Sequence, residues 1–168
     1  MLLARQELDQ PTGVLNKTGL QRGIDALLRP ERREAFTLCM ADLDGFKCVN
    51  DQYGHLAGDT VLKNFCKIAR RNIRAGDLLG RYGGDEFLFV FRTEINRAVK
   101  ILLSGVSPGP VTFSAGAVLC AQDDARDRLG LIREADALLY RAKAAGGGLT
   151  VAEDEALPPR EEQRHLSR

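Results

Sequence analysis

Apolar residues fall along this chain in two alternating rhythms. From Asn16 to Leu28, the positions Leu20, Ile24, Leu27 and Leu28 keep a spacing near 3.6 residues and Arg29-Pro30 closes the stretch, which predicts a helix. Ala35 to Ala41 is a continuous apolar run that emerges at Asp42-Leu43-Asp44-Gly45, the pattern of a buried strand ending in an acidic loop. Helical spacing returns from Gly58 to Ile73, with Val61, Leu62, Phe65, Ile68 and Ala69 on one face and Lys63, Asn64, Lys67, Arg70 and Arg71 on the other. Asp77–Tyr82 and Glu86–Phe91 read as two strands joined by a hairpin turn at Gly83-Gly84. Glu94–Leu103 predicts an amphipathic helix stopped near Gly105–Pro110, and Val111–Leu119 a strand. Arg126–Ala144 predicts a helix that turns Leu129, Ile132, Ala135, Leu139 and Ala142 inward. Gly146-Gly147-Gly148 ends it, and Leu149-Thr150-Val151 reads as a short edge strand.

At the ends, residues 2–8 read as the last turns of a helix broken at Pro11-Thr12-Gly13, and residues 153–168, charged and carrying Pro158-Pro159, as a disordered tail. No internal repeat is visible. Helices and strands alternate, yet two consecutive strands share a tight hairpin. That combination excludes an all-parallel sheet and favours an α/β sandwich of the split β-α-β kind.

The 168 residues, 44% hydrophobic and 28% charged, suit one domain with a core of its own. With 24 basic against 23 acidic residues, the overall charge favours neither a nucleic-acid polymer nor an anionic membrane surface, so partners must be read from local sites. Cys39, Cys48, Cys66 and Cys120 form no CxxC pair and read as small hydrophobes in a reducing compartment. No stretch approaches the roughly 18 apolar residues that span a bilayer, so the chain is expected to be soluble and cytoplasmic.

The chemistry is concentrated at Arg81-Tyr82-Gly83-Gly84-Asp85-Glu86-Phe87. Glycines let the backbone approach a ligand, and paired carboxylates recruit a hard cation that carries a polyphosphate. In a sheet of the expected kind, the strand ending at Asp42 can lie beside the hairpin bearing Asp85 and Glu86. Carboxylates from two strands then surround one cation, and magnesium held this way keeps positions open for phosphate oxygens.

Over nearly its whole length, from Asp9 to Val151, the chain resembles the GGDEF domains of diguanylate cyclases. The resemblance rests on Gly83-Gly84-Asp85-Glu86-Phe87, on Asp9-Gln10-Pro11-Thr12-Gly13-Val14-Leu15-Asn16, and on Asp42-Leu43-Asp44-Gly45-Phe46-Lys47 with Val49-Asn50-Asp51, Gly54-His55 and Gly58-Asp59. Ser114-Ala115-Gly116 and Ala135–Lys143 complete it. It implies an α/β (α+β) fold with a mixed, mainly antiparallel central sheet flanked by helices, ferredoxin-like and akin to polymerase palms and nucleotide cyclases. It divides the chain into the end of a linker helix (1–10), the GGDEF domain (11–152) and the tail (153–168). The implied reaction condenses two GTP into cyclic di-GMP and two pyrophosphates.

By the same resemblance, Asp42, Asp85 and the Leu43 carbonyl hold magnesium, with manganese as the alternative ion, and Asp85 or Glu86 takes the proton of a ribose 3′-hydroxyl. Phe46, Lys47, Gly83, Gly84 and Lys143 contact substrate, Asn50 and Asp59 read guanine, and His55 stands near the nucleotide. Arg74 and Asp77 form an inhibitory RxxD site for the product. Because each subunit presents one GTP, a homodimer and an upstream sensor or regulatory domain are implied partners. The chain departs from the family at Pro11, at Gly147-Gly148 where Arg-Asn is usual, and in the abbreviated 88–110 segment. The missing arginine supports an alternative, a weakly active or inactive domain that senses cyclic di-GMP or GTP or serves in dimerisation.

Overall fold

The structure is a computed structural model that describes residues 7–32, 34–105, 111–148, 150–152 and 155–156. Helix α1 (Lys17–Leu27) starts where the Asn16 side chain accepts from the Gly19 amide at 3.0 Å, the bond an N-cap asparagine makes. Strand β1 (Phe36–Leu43) leads into two consecutive helices, α2 (Phe46–Tyr53) and α3 (His55–Asn72). The hairpin β2 (Leu78–Arg81) and β3 (Glu86–Phe91) follows, then α4 (Ile95–Gly105), β4 (Phe113–Cys120), α5 (Arg128–Ala144), β5 (Thr150–Ala152) and β6 (Glu155–Ala156).

The six strands form one sheet in the order β2-β3-β1-β4-β5-β6, antiparallel everywhere except between β4 and β5. β1 lies between β3 and β4 and is buried at all eight positions, which is why its sequence is an unbroken apolar run rather than an alternation. Side chains alternate across it. Cys39, Ala41 and Leu43 join Phe87, Phe89 and Phe91 in a core under α3 and α4, where Phe65 meets Phe87 with ring centroids 4.7 Å apart. Leu38 and Met40 join Leu88 and Val90 in a second core under α1 and α5. The mixed, mainly antiparallel, helix-flanked sheet is the expected fold.

Several local expectations are corrected. α2 is only eight residues long and half-buries Phe46 and Val49 without burying any residue fully, which is too short a pattern to read, and α3 begins at His55 rather than Gly58 because Gly54, at φ 82°, separates the two helices. The hairpin connection is four residues long, 82–85, rather than a two-residue turn, and neither Gly83 nor Gly84 has a positive φ. On α5 the inward set is Leu131, Ile132, Ala135, Leu138, Leu139 and Ala142, whereas Leu129 faces outward from the first turn. β5 is not an edge strand: residues 155 and 156, expected in a disordered tail, pair with it through backbone bonds that polar sequence supports as well as apolar. The rest of 153–168 and the expected helix over residues 2–6 lie outside the described residues, while Leu8 bridges to Leu15 instead of being helical. Cys39, Cys66 and Cys120 are buried and Cys48 is exposed. Among the described residues no helix is long and apolar enough to cross a membrane.

Candidate active site

The carboxyl end of β1 is the geometric focus. Strand register sets Asp42 opposite Glu86 on β3 and opposite Ser114 on β4. Asp42 is only 6% exposed, and the Lys143 ammonium, from the last turn of α5, bonds its Oδ1 at 2.7 Å. The Leu43 amide donates to the Asp85 carbonyl at 3.3 Å, which fastens the hairpin loop to the end of β1. Asp42, Leu43, Phe46, Lys47, Asp85 and Lys143 thereby line one cavity of about 490 Å³, closed on a further side by Gly146–Gly148.

Burial raises the pKa values of two carboxylates here. Burial pushes Asp42 up, Lys143 opposes this, and Asp85 and Asp44 add to it. Burial also raises Glu86, helped by Asp42, Asp136 and Asp85. Among the described residues no group of three or more His, Cys, Asp or Glu is arranged to cage a metal ion by itself. Two carboxylates and a carbonyl nevertheless make an all-oxygen donor set crowded enough to favour a cation, and magnesium commonly takes one or two carboxylates and completes its shell from water and phosphate. The residues fit such an ion.

At α2 the N-cap is Gly45 at φ 70°, and no side chain caps the helix, so the first-turn amides at Phe46 and Lys47 meet the cavity without a protein cap. Asn50 packs so closely on Gly58 that any Cβ there would collide with its Oδ1, which sets α2 against α3 at the residue before Asp59. Asn50, Asp59 and the exposed His55 lie beyond the cavity's lining. So do Gly83 and Gly84, whose role is steric and structural: a Cβ on Gly83 would stand 2.6 Å from Glu86 Oε2, and the Gly84 carbonyl accepts from Arg81 Nε at 2.9 Å. Arg81 also approaches Asp9 at 3.5 Å, tying the N-terminal turn to the hairpin loop.

Arg74 and Asp77 form a tight turn between α3 and β2. The two Asp77 oxygens accept the amides of Arg74 at 2.9 Å and Arg92 at 3.0 Å, so this carboxylate is already engaged as a backbone staple.

Sequence reasoning missed Asp44 as an organiser. It accepts from Thr112 Oγ1 at 2.8 Å, Ser114 Oγ at 2.7 Å and the Gly148 amide at 2.9 Å, so one side chain binds β1 to β4 and to the glycine run. The only signal was a second acid after Asp42, since its partners lie far away in sequence. The glycine amides are likewise committed: Gly146 to the Lys143 carbonyl and Gly147 to that of Ala142, both at 3.1 Å.

A family model described as the diguanylate cyclase GGDEF domain matches residues 6–148. The chain belongs to the GGDEF-domain family of diguanylate cyclases. This GGDEF domain is 32% identical over 153 residues to diguanylate cyclase DgcP of Pseudomonas aeruginosa, covering 82% of this chain and 22% of that protein. It is 34% identical over 147 residues to diguanylate cyclase DgcS of Shewanella oneidensis, covering 82% of this chain and 50% of the relative. Thus the chain spans between about a fifth and a half of the length of these relatives. Among solved structures, a microbial GGDEF domain studied with bis-(3′,5′)-cyclic di-GMP superposes with a TM-score of 0.82 at 35% identity, over 91% of this chain and all of that one. The active GGEEF domain of a Vibrio cholerae diguanylate cyclase superposes with a TM-score of 0.73 at 26% identity, over 84% of this chain and 98% of that one.

Proposed function

We propose that residues 11–152 form a catalytic half-site that binds one GTP and, facing a second copy with its own GTP, makes cyclic di-GMP and two pyrophosphates. The reading is carried by one observation: Asp42 and Asp85, from strand ends far apart in sequence, converge on a cavity that also holds Lys143 and an uncapped helix start. In this reading Asp42, Asp85 and the Leu43 carbonyl hold magnesium, or manganese in its place. The bound ion lowers the pKa of the ribose 3′-hydroxyl and offsets charge on the departing pyrophosphate. The Phe46 and Lys47 amides and the Lys47 and Lys143 ammonium groups receive phosphate oxygens. Glu86, opposite Asp42 in the strand register and held above its ordinary pKa by burial, is the general base in this reading. The 3′-oxygen bonds to the α-phosphorus of the other nucleotide, the bond to the β-phosphate bridge breaks, and the proton passes to Glu86. Asn50 and Asp59 select guanine with His55 beside them, and Arg74 supplies the cation of an RxxD product site that Asp77 shapes.

The longer relatives support an upstream sensor or regulatory partner, and a GTP substrate supports a cytoplasmic reaction. Incubating the chain with GTP and magnesium and resolving the nucleotides tests the proposal. Cyclic di-GMP and pyrophosphate are expected in a ratio of one to two, and Asp85→Asn should abolish both. A second reading, binding without turnover, draws on Gly147 where the family has arginine. Measurable GTP binding without product at any chain concentration would establish it in place of the first.

A further inference from the structure

Two lysines face the cavity at the end of β1, and they are not equivalent. Lys47, on the first turn of α2, is exposed and has no ion pair among the described residues. Lys143 is engaged: its ammonium bonds Asp42 Oδ1 at 2.7 Å, the same carboxylate that the reading above gives to the ion. The members of this pair differ in freedom. Asp42 is nearly buried on a strand flanked on both sides, whereas the Lys143 side chain is 43% exposed, on a long stem at the last turn of α5. A carboxylate placed that deeply is costly to leave without a counter-charge, so Lys143 can depart only as another cation arrives. The charges around the cavity give it no cause to depart early. Asp42, Asp44 and Asp85 are set against Lys47 and Lys143, within one charge of balance, so the site has little demand for a divalent ion until a polyphosphate adds its own negative charge.

We propose, on the reading above that Asp42 is an ion ligand, that Lys143 holds Asp42 as an exchangeable counter-ion and releases it only when a polyphosphate draws the ammonium away. Lys47 and the uncapped amides of α2 receive the first phosphate oxygens without disturbing the pair. With negative charge then beside it, the Lys143 ammonium turns from carboxylate to phosphate, and the divalent ion that accompanies the nucleotide takes the freed Asp42. Ion and nucleotide therefore bind cooperatively, since each removes the obstacle to the other. In the nucleotide-free chain the same pair acts as a lock: a ligand covered in about nine-tenths of molecules binds its ion roughly tenfold more weakly than an open one. Lys143 thus has a task before substrate arrives, the exclusion of free divalent ions from a site they would otherwise fill unproductively.

Titrating the nucleotide-free chain with manganese, followed by the spin-resonance signal of the free ion, tests this without turnover. The parent is expected to bind the ion weakly. Lys143→Met and Lys143→Gln, which remove the charge and keep a stem, should each bind it about tenfold more tightly or better, and adding Asp42→Asn to either should abolish the gain. Lys143→Arg retains a cation and should stay near the parent. Two neutral variants are used because either one with an intact melting transition suffices. If neither binds manganese more tightly than the parent, if the gain survives Asp42→Asn, or if Lys143→Arg gains as much, Lys143 does not withhold Asp42, while formation of cyclic di-GMP by the parent would leave the reading above standing. If Asp42→Asn in the otherwise unchanged chain makes product at the parent's rate, that reading falls as well.

Discussion

Asp42 and Glu86 face each other across adjacent strands, and the cost of burying them there is measurable. Each has a folded-state pKa above its ordinary value, so between the two values the native chain binds more protons than the unfolded one and stability falls as pH rises. The contribution is fully present below the ordinary 4.5 of Glu86 and lost as pH rises through the raised value. Asp124 behaves oppositely: the Arg126 side chain lowers its pKa, so its contribution is present above the ordinary 3.8 and lost as pH falls through the lowered value. Comparing parent and variant isolates the first effect. Glu86→Gln is expected to melt at a higher temperature than the parent at pH 7, with the gap closing as pH falls toward 4.5, and a gap independent of pH would show that Glu86 is not strained. Base choice belongs to the same scale. A site whose carboxylate accepts from guanine leaves Asp59 unpaired with adenine, so GTP should bind at least about tenfold more tightly than ATP, and Asp59→Ala should erase the difference. The two carboxylate loci were legible because Asp42 closes one run of apolar residues and Asp85-Glu86 opens another. Asp44 was not, because its hydrogen-bond donors come from residues 112, 114 and 148.

For whole elements, glycine decides how closely α5 approaches the sheet and where it ends. A Cβ on Gly116 would collide with the Ala135 carbonyl and the Leu139 amide, both helix backbone with no room to yield. Gly116→Ala should therefore lift α5, costing about 1–3 kcal/mol in denaturant unfolding and raising the KM for GTP by displacing Lys143. Unchanged stability would mean that the helix can slide. At Gly147 the obstacle is conformational as well: φ is +73° and a Cβ would stand 3.2 Å from Asp44 Oδ1. Restoring the family's arginine by Gly147→Arg is thus expected to cost about 1–2 kcal/mol of stability without lowering the KM, and a lowered KM would show that the segment can rearrange to admit the side chain. Periodicity located α1, α3, α4 and α5 because each buries one face. α2 escaped it because it is short and buries no residue fully, and β6 because two residues carry no period.

For the molecule as a whole, the proposed half-site reaction would make rate a property of pairs. Initial rate per chain should rise with chain concentration until the dimer saturates, and a rate per chain that is flat from nanomolar to micromolar concentrations would point to a monomeric reaction. Product feedback is best probed at Arg74 rather than Asp77, whose oxygens already hold two backbone amides. Arg74→Ala should lose cyclic di-GMP binding by calorimetry while keeping or raising the initial rate. Unchanged binding would return Arg74 to an exposed turn residue without a regulatory part.

By itself, the sequence determined which segments pair with the core and where carboxylates leave it, because burial of apolar side chains at a period of 2 or 3.6 is a local constraint written in consecutive residues. It also carried the family, through motifs whose order survives without any coordinates. Only the tertiary structure decided that Asp42 is bonded by Lys143, that Asp44 joins three distant segments, and that a side chain at Gly147 would crowd Asp44. Those outcomes depend on strand register and on the approach of α5 to β4, which are set by packing summed over the whole sheet and so leave no mark at any single position.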